Sequence, residues 1–373
     1  MPIRSQWSLA REGITGDTVA RLISLTALNP MLTLPLLLLA RYTTSGSNIA
    51  RDHSTVFKHL KTLLTLGVVH KLNSWLNDAV TNNFSKDEYV WEKEVVVVTG
   101  GSDGIGKLIV GLLAERGIKV AVVDVQEPTY ELQPTVSYFP CDLSSPTSIT
   151  TTASKITSTH GAPTILINNA GVARGKTILT TTPTDLSLTF GVNTFSHYHL
   201  ARAFLPAMIS SNHGMIVTIA SLAGYVTAPK LVDYAASKAA AISFHEGLTA
   251  ELVALYGAPK VRTVLMCQGY TRTALFEGFG GKSLWAETVA EEVVRAVLGG
   301  RSRVLVLPEV SWGVAPKLRG WPVWLQTFVR RRLDNMSGWK GRQVVQPSLV
   351  GEGEERGEEG EKVGGSTVLV EGE

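Results

Sequence analysis

The sequence predicts an α/β fold, a doubly wound parallel sheet of seven strands with helices on both faces, preceded by an apolar N-terminal extension. Three observations carry that expectation. After Asp87, short runs rich in β-branched residues alternate with stretches of helical length, the pattern of parallel strands joined by crossover helices. A glycine-rich turn sits directly between the first such run and the first helical stretch. The chain of 373 residues is also long for one such domain and short for two, which suggests a single core with extensions.

In chain order, Leu22 to Ala40 (LISLTALNPMLTLPLLLLA) comes first, a run without a charged residue. It is close to the roughly 20 residues that span a bilayer as a helix. Pro30 and Pro35 remove backbone donors and bend a helix, so a kinked span, a re-entrant hairpin, an interfacial segment and a buried packing helix all remain open. Arg4, Arg11 and Arg21 precede this run and five Lys or Arg follow it up to Lys71, a bias that puts the next domain on the cytosolic side. Residues 55–72 interleave Lys and His with apolar residues at helical spacing, which suits a helix on a surface or one docked on the core.

Strands are expected near 94–99, 118–124, 135–140, 164–168, 214–220, 261–267 and 303–307, with helices near 104–116, 146–159, 185–210, 233–256 and 287–298. A Trp-rich stretch from Trp312 to Arg332 ends in three arginines, a mixture that suits a headgroup boundary or packing on the main domain. The expected organisation is a membrane-associated extension over 1–90, a Rossmann-type domain over 91–311, a basic amphipathic region over 312–343 and a disordered acidic Gly/Glu tail over 344–373.

Composition narrows the setting. The chain is 44% hydrophobic and 18% charged, below the roughly 25% charge of an average soluble domain. Only Cys141 and Cys267 occur, which points to a reducing compartment rather than a disulfide framework. The net charge of +3 hides a split, because residues 351–373 hold eight Glu against Arg356 and Lys362, leaving a basic excess elsewhere. With no nucleic-acid module in the chain, an anionic membrane surface is the expected partner and nucleic acid is not.

The glycine turn runs Thr99, Gly100, Gly101, Ser102, Asp103, Gly104, Ile105, Gly106 and leads into a helix. Such a turn lets backbone N–H groups at a helix N-terminus approach a pyrophosphate. Asp124 follows at the end of the run VAVVD, where a carboxylate grips ribose hydroxyls. That carboxylate, with Asp103 in the turn, would repel a 2′-phosphate, so NAD is favoured over NADP. Asp142 and Leu143 close the third strand beside the expected adenine position, and Asn169, Ala170 and Gly171 close the fourth.

Moving a hydride to or from an alcohol carbon needs one group to move the hydroxyl proton and another to hold the oxygen. Tyr234 and Lys238 lie at i and i+4, on one face of a helix. A free phenol titrates near 10, so a nearby cation would have to lower it for use as a base. Ser221 ends the preceding strand, and Asn193 lies in the helix before it.

The order TGxxxGIG, NNAG, helix Asn, Ser and YxxxK resembles the short-chain dehydrogenase/reductase family over about residues 92–310. The resemblance implies that Tyr234 is the general acid/base and that Lys238 holds the nicotinamide ribose and lowers the Tyr234 pKa. It implies that Ser221 bonds the substrate oxygen, Asn193 supports a proton-relay water, Asn169 faces the cofactor and Thr273 binds near the carboxamide. One departure is plain: Gln268-Gly269 stands where the family usually has Pro-Gly, which frees a backbone angle and an N–H and bears on the cofactor loop.

Tyr270 to Leu284 carries Ala274, Leu275, Phe276 and Phe279, an apolar cover for a pocket and hence for a lipophilic substrate. ARGKT after NNAGV, and FHEGL after YxxxK, are similar to the membrane and lipid-droplet branch containing retinol dehydrogenases and certain 17-beta-hydroxysteroid dehydrogenases. That similarity implies oxidation of a retinoid, steroid or fatty alcohol, or reduction of the carbonyl, at the endoplasmic reticulum or a lipid droplet. An NADPH-dependent lipid carbonyl reductase and a non-catalytic nucleotide-binding scaffold are the alternatives. His197 and His199 are two apart on a helix and point different ways, so no metal is expected. A homodimer is implied by the family resemblance alone.

Overall fold

The computed structural model describes residues 3–5, 8–276 and 283–333, and the backbone of two short strands at 343–345 and 368–370. Phe279, the end of the basic Trp-rich region and most of the acidic tail lie outside the described residues. Gln343–Val345 and Val368–Val370 pair as antiparallel strands.

The chain divides into two compact units, Leu9–Phe84 and the remainder. The first holds four helices, α1 (Gly16–Leu25), α2 (Pro30–Tyr42), α3 (Thr44–Asp52) and α4 (Ser54–Thr81). The apolar run 22–40 is split between α1 and α2, which bend by 44° where Asn29 caps α2. The Asn29 side chain accepts the Met31 N–H at 3.1 Å, and Pro30 occupies the first helical turn, where its missing N–H costs nothing. No single helix among the described residues is long and apolar enough to cross a membrane, but the bent α1–α2 pair passes that test together. Leu22, Met31, Leu32, Leu36 and Leu39 are all at least half exposed, and the four helices bury only Thr33 and Gly67.

The second unit carries β1 (Val95–Thr99), α5 (Gly104–Ala114), β2 (Lys119–Asp124), β3 (Val136–Pro140), α6 (Pro146–His160), β4 (Ile165–Asn168), α7 (Pro183–Phe190), α8 (Ser196–Ser211), β5 (Met215–Ile219), α9 (Val232–Ala254), β6 (Arg262–Gln268), α10 (Ala286–Leu298), β7 (Arg303–Leu307) and α11 (Val323–Arg332). Its seven strands are parallel, in the order β3-β2-β1-β4-β5-β6-β7. Each expected strand is present to within a residue at either end. The expected helix 185–210 is not continuous: a π-helical turn at Gly191–Phe195 separates α7 from α8 and places Asn193 on it. Single π turns inside helices often mark functional sites, because they re-aim one side chain.

β1 shows why apolar runs read as parallel strands. Val96 and Val98 pack with α5 and α10 on one face, while Val97 packs with α6, α8 and α9 on the other. Both faces are covered, so successive residues are buried although they point opposite ways. Fully burying one such side chain is worth about 1.5–3 kcal/mol. The crossovers from β1 and β4 run in opposite directions along the sheet, which opens a crevice at the carboxyl ends of these two strands.

Candidate active site

The turn after β1 packs backbone on backbone at the foot of that crevice, which only glycine allows. Gly100 has φ +64°, and a Cβ there would sit 2.8 Å from the Ala170 Cα. A Cβ on Gly106 would run into the Gly100 carbonyl and stand 2.6 Å from the Asn169 amide nitrogen. That nitrogen donates to the Thr99 and Gly100 carbonyls at 2.9 and 3.0 Å. Thr99 Oγ1 in turn accepts the N–H groups of Asn169 and Ala170 at 2.9 and 3.0 Å, so the two turns form one floor.

Asp124 closes one end of it. Its carboxylate accepts the Ser102 N–H at 3.0 Å and the Gln126 N–H at 3.3 Å. Burial pushes its pKa up, against the pull of the N–H groups of Ser102, Gln126 and Val125. Asp142 Oδ1 accepts both the N–H and the hydroxyl of Ser144, at 2.8 and 2.7 Å, which fixes the neighbouring turn.

A cavity of about 1060 Å³ lies on this floor. Gly100, Asp103, Gly104, Ile105, Asp124, Asp142, Leu143, Asn169, Ala170, Gly171, Gly269 and Thr273 line it, together with Ser221, Tyr234 and Lys238. Two residues expected at the cofactor lie elsewhere. Ser102 is fully buried, and its hydroxyl donates to the Gln126 carbonyl at 2.7 Å. Gly106 is the close-packing point under Gly100. Both shape the turn without lining the cavity. An acid at the end of β2, a glycine turn that leaves backbone open to a ligand and a Lys–Tyr pair farther along fit a dinucleotide lying across the sheet.

At the other end, Tyr234 and Lys238 project from α9, and Ser221 follows β5. All three are buried. Lys238 Nζ donates to the Ile219 carbonyl at 2.8 Å and lies 5.9 Å from the centre of the Tyr234 ring. Burial pushes Tyr234 up to about 12, with the Ser221 hydroxyl pulling the other way, and pushes Lys238 down to about 8. The protein by itself therefore keeps Tyr234 as a phenol at neutral pH. Ser221 Oγ donates to the Gln268 carbonyl at 3.3 Å and accepts the Ala223 N–H at 3.1 Å.

Asn193 does not line the cavity. Its Oδ1 accepts the Val172 N–H at 2.8 Å, and its Nδ2 donates to the Val172 carbonyl and Ser237 Oγ, both at 2.9 Å. The side chain is thus a clamp between the segment after β4 and the helix bearing Tyr234. The ARGK segment is tied down separately: buried Asp185 receives Arg174 Nε at 2.7 Å and Lys176 Nζ at 2.8 Å. Although burial opposes its charge, hydrogen bonds from Lys176, Thr182 and Arg174 hold the Asp185 carboxyl well below the usual range.

Sequence reasoning missed part of the wall. Val310, Val314, Leu318, Val329 and Leu333, all after β7, line the cavity. Arg319 Nη2 fastens this segment by donating to the Gly224 carbonyl at 2.8 Å. The Trp-rich stretch thus packs against the domain, yet Val323 and Trp324 on α11 stay exposed. Gln268, noted as a departure in the strand-end turn, also lines the cavity.

The fold and this crevice define an oxidoreductase that uses a nicotinamide nucleotide, NAD(P), on CH–OH groups. A family model described as short chain dehydrogenase matches residues 94–282, half of the chain, and the chain belongs to that family. It is 44% identical to Dehydrogenase RED2 of Cochliobolus heterostrophus over 57% of this chain and 80% of that protein. It is 34% identical to Estradiol 17-beta-dehydrogenase 11 of Rattus norvegicus over 57% of this chain and 75% of that protein. Short-chain dehydrogenase/reductase family 16C member 6 of Bos taurus is also 34% identical, over 58% of this chain and 73% of its own. The solved structure of 4-hydroxyisoleucine dehydrogenase complexed with NADH shares the fold, with a TM-score of 0.52 at 20% identity over 57% of this chain and 97% of its own.

Proposed function

We propose that this chain oxidises a lipophilic alcohol with NAD at a membrane surface, and that Tyr234 is its acid/base. One observation carries the reading: a single cavity joins the Asp124 floor to Ser221 and Tyr234, and its far wall is apolar, formed by Leu222, Val226, Leu231, Phe276, Val314 and Leu318. Such a wall favours a substrate whose body is hydrocarbon, a retinoid, steroid or fatty alcohol. The relatives named for estradiol dehydrogenation support the same class.

When bound, the nicotinamide ring supplies the acceptor or donor of hydride. The residues do the rest. Asp124 takes the adenosine ribose hydroxyls, and its negative charge disfavours a 2′-phosphate, hence NAD. The turn from Gly100 to Ile105 and the Asn169-Ala170-Gly171 segment let the pyrophosphate and ribose approach the backbone, and Thr273 borders the nicotinamide end. Lys238 Nζ, held on the Ile219 carbonyl, keeps two further N–H donors for the nicotinamide ribose. Ser221, turning its one hydroxyl proton away from the Gln268 carbonyl, donates to the substrate oxygen, and Tyr234 moves the proton at that oxygen. Asn193 keeps the Val172 backbone and α9 in register.

A second reading is favoured by one observation. Burial keeps Tyr234 in its protonated form, the form from which carbonyl reduction with NADPH starts. The membrane assignment rests on the exposed apolar residues of the α1–α2 pair, with the endoplasmic reticulum or a lipid droplet as the site and the Rossmann unit in the cytosol. An absorbance assay with NAD and NADP separately, and retinoid, steroid and long-chain alcohols and carbonyls, tests this reading. It expects NAD reduction with one lipophilic alcohol class. Turnover with NADPH and carbonyls alone would put the reductase in its place, and turnover of neither would favour a scaffold.

A further inference from the structure

We propose that Gln268 is a cofactor-binding residue, its side-chain oxygen accepting a hydrogen bond from the nicotinamide carboxamide. The proposal rests on the reading that the Tyr234 crevice binds a nicotinamide dinucleotide.

Gln268 is the last residue of β6 and is only 9% exposed, yet its Oε1 is sealed from solvent without a hydrogen-bond partner. Buried amide oxygens in folded proteins are nearly always satisfied, and leaving one bare costs about 1–3 kcal/mol. The residue lines the cavity, and its own carbonyl accepts the Ser221 hydroxyl at 3.3 Å, so it sits at the reacting end. A half-turn of the side-chain amide about its last bond would present that oxygen to a donor carried by a molecule bound in the cavity.

The surroundings decide which molecule. Leu222, Ala223, Leu231 and Phe276 on the substrate side offer no side-chain donor. A lipophilic alcohol brings one hydroxyl, and Ser221 and Tyr234 occupy it. The carboxamide brings two N–H donors in a plane, which an amide oxygen matches.

The backbone does not explain the residue either. Gly269 N–H donates to the Leu307 carbonyl at 2.7 Å, so β7 already holds the strand end without the fixed angle of a proline. Proline, usual in the family at this position, has no side-chain acceptor. The substitution therefore adds a hydrogen-bonding group at the nicotinamide end.

Calorimetric titration of the full chain and its Gln268→Met variant, of similar length but without the acceptor, tests this with three probes. NAD carries the carboxamide, 3-acetylpyridine adenine dinucleotide replaces it with a ketone lacking N–H, and ADP-ribose lacks the ring. The proposal expects Gln268→Met to bind NAD about 3- to 10-fold more weakly. It expects the variant to bind the acetylpyridine analogue and ADP-ribose as the parent does. Equal NAD affinity in the two proteins would overturn it. So would a loss of the same factor for all three probes, which marks a structural role. A parent chain that binds neither NAD nor ADP-ribose would remove the underlying cofactor reading, and the proposal with it.

Discussion

The two units of this chain use hydrophobic residues in opposite ways. In the unit beginning at Ser85, Val96, Val97 and Val98 are fully buried between helices, and the strands hide their side chains on both faces. In the unit Leu9–Phe84, residues of the same kind stay outside: Met31 is 80% exposed and Leu39 is 57% exposed. A sheet covered on both sides gains its stability from within, whereas helices that leave leucines exposed call for an apolar partner. Chemistry and the proposed anchoring thus fall to different units, and the contrast can be broken by experiment.

The largest effect is expected in the core. Leu166→Asp places an unpaired charge between two layers and should leave no folded protein, read as loss of the cooperative thermal transition. Ile167→Ala should cost about 2–5 kcal/mol in urea unfolding. By contrast Leu36→Ser, on an exposed face of α2, should change stability by less than about 0.5 kcal/mol while weakening flotation with anionic vesicles. Equal flotation of parent and variant would break the contrast between the units.

Asn193→Ala should lie between these limits, at about 2 kcal/mol, because it leaves the Val172 main chain without its partners. A further expected effect is on pH dependence. Since burial holds Tyr234 near 12, the phenolate needed for alcohol oxidation is a minor form at neutrality, and kcat/KM for oxidation should rise from about pH 6 to 9. The phenol needed for reduction is the major form, so that profile should stay flat up to about pH 7 and fall where Lys238, pushed down to about 8, loses its proton.

The sheet was legible because parallel strands buried on both faces write themselves as apolar runs, and Tyr234 with Lys238 because helical spacing puts them on one face. Other features have no comparable signature. The π turn at Asn193 is set by tertiary bonds to Val172 and Ser237, so the sequence read as one helix over 185–210. Ser102 reads in the sequence as one more residue of the cofactor turn, and only the fold shows its hydroxyl donating to the Gln126 carbonyl. The wall from Val310 to Leu333 was unforeseen, because an amphipathic stretch reads the same whether it meets lipid or covers a pocket.

The measurement that bears most directly on Tyr234 as acid/base is NAD reduction by Tyr234→Phe against the parent, on the best alcohol of the panel, with NAD affinity measured alongside. The account predicts a fall in kcat of about 10²- to 10⁴-fold with NAD binding unchanged. A variant that turns over within about tenfold of the parent would contradict it.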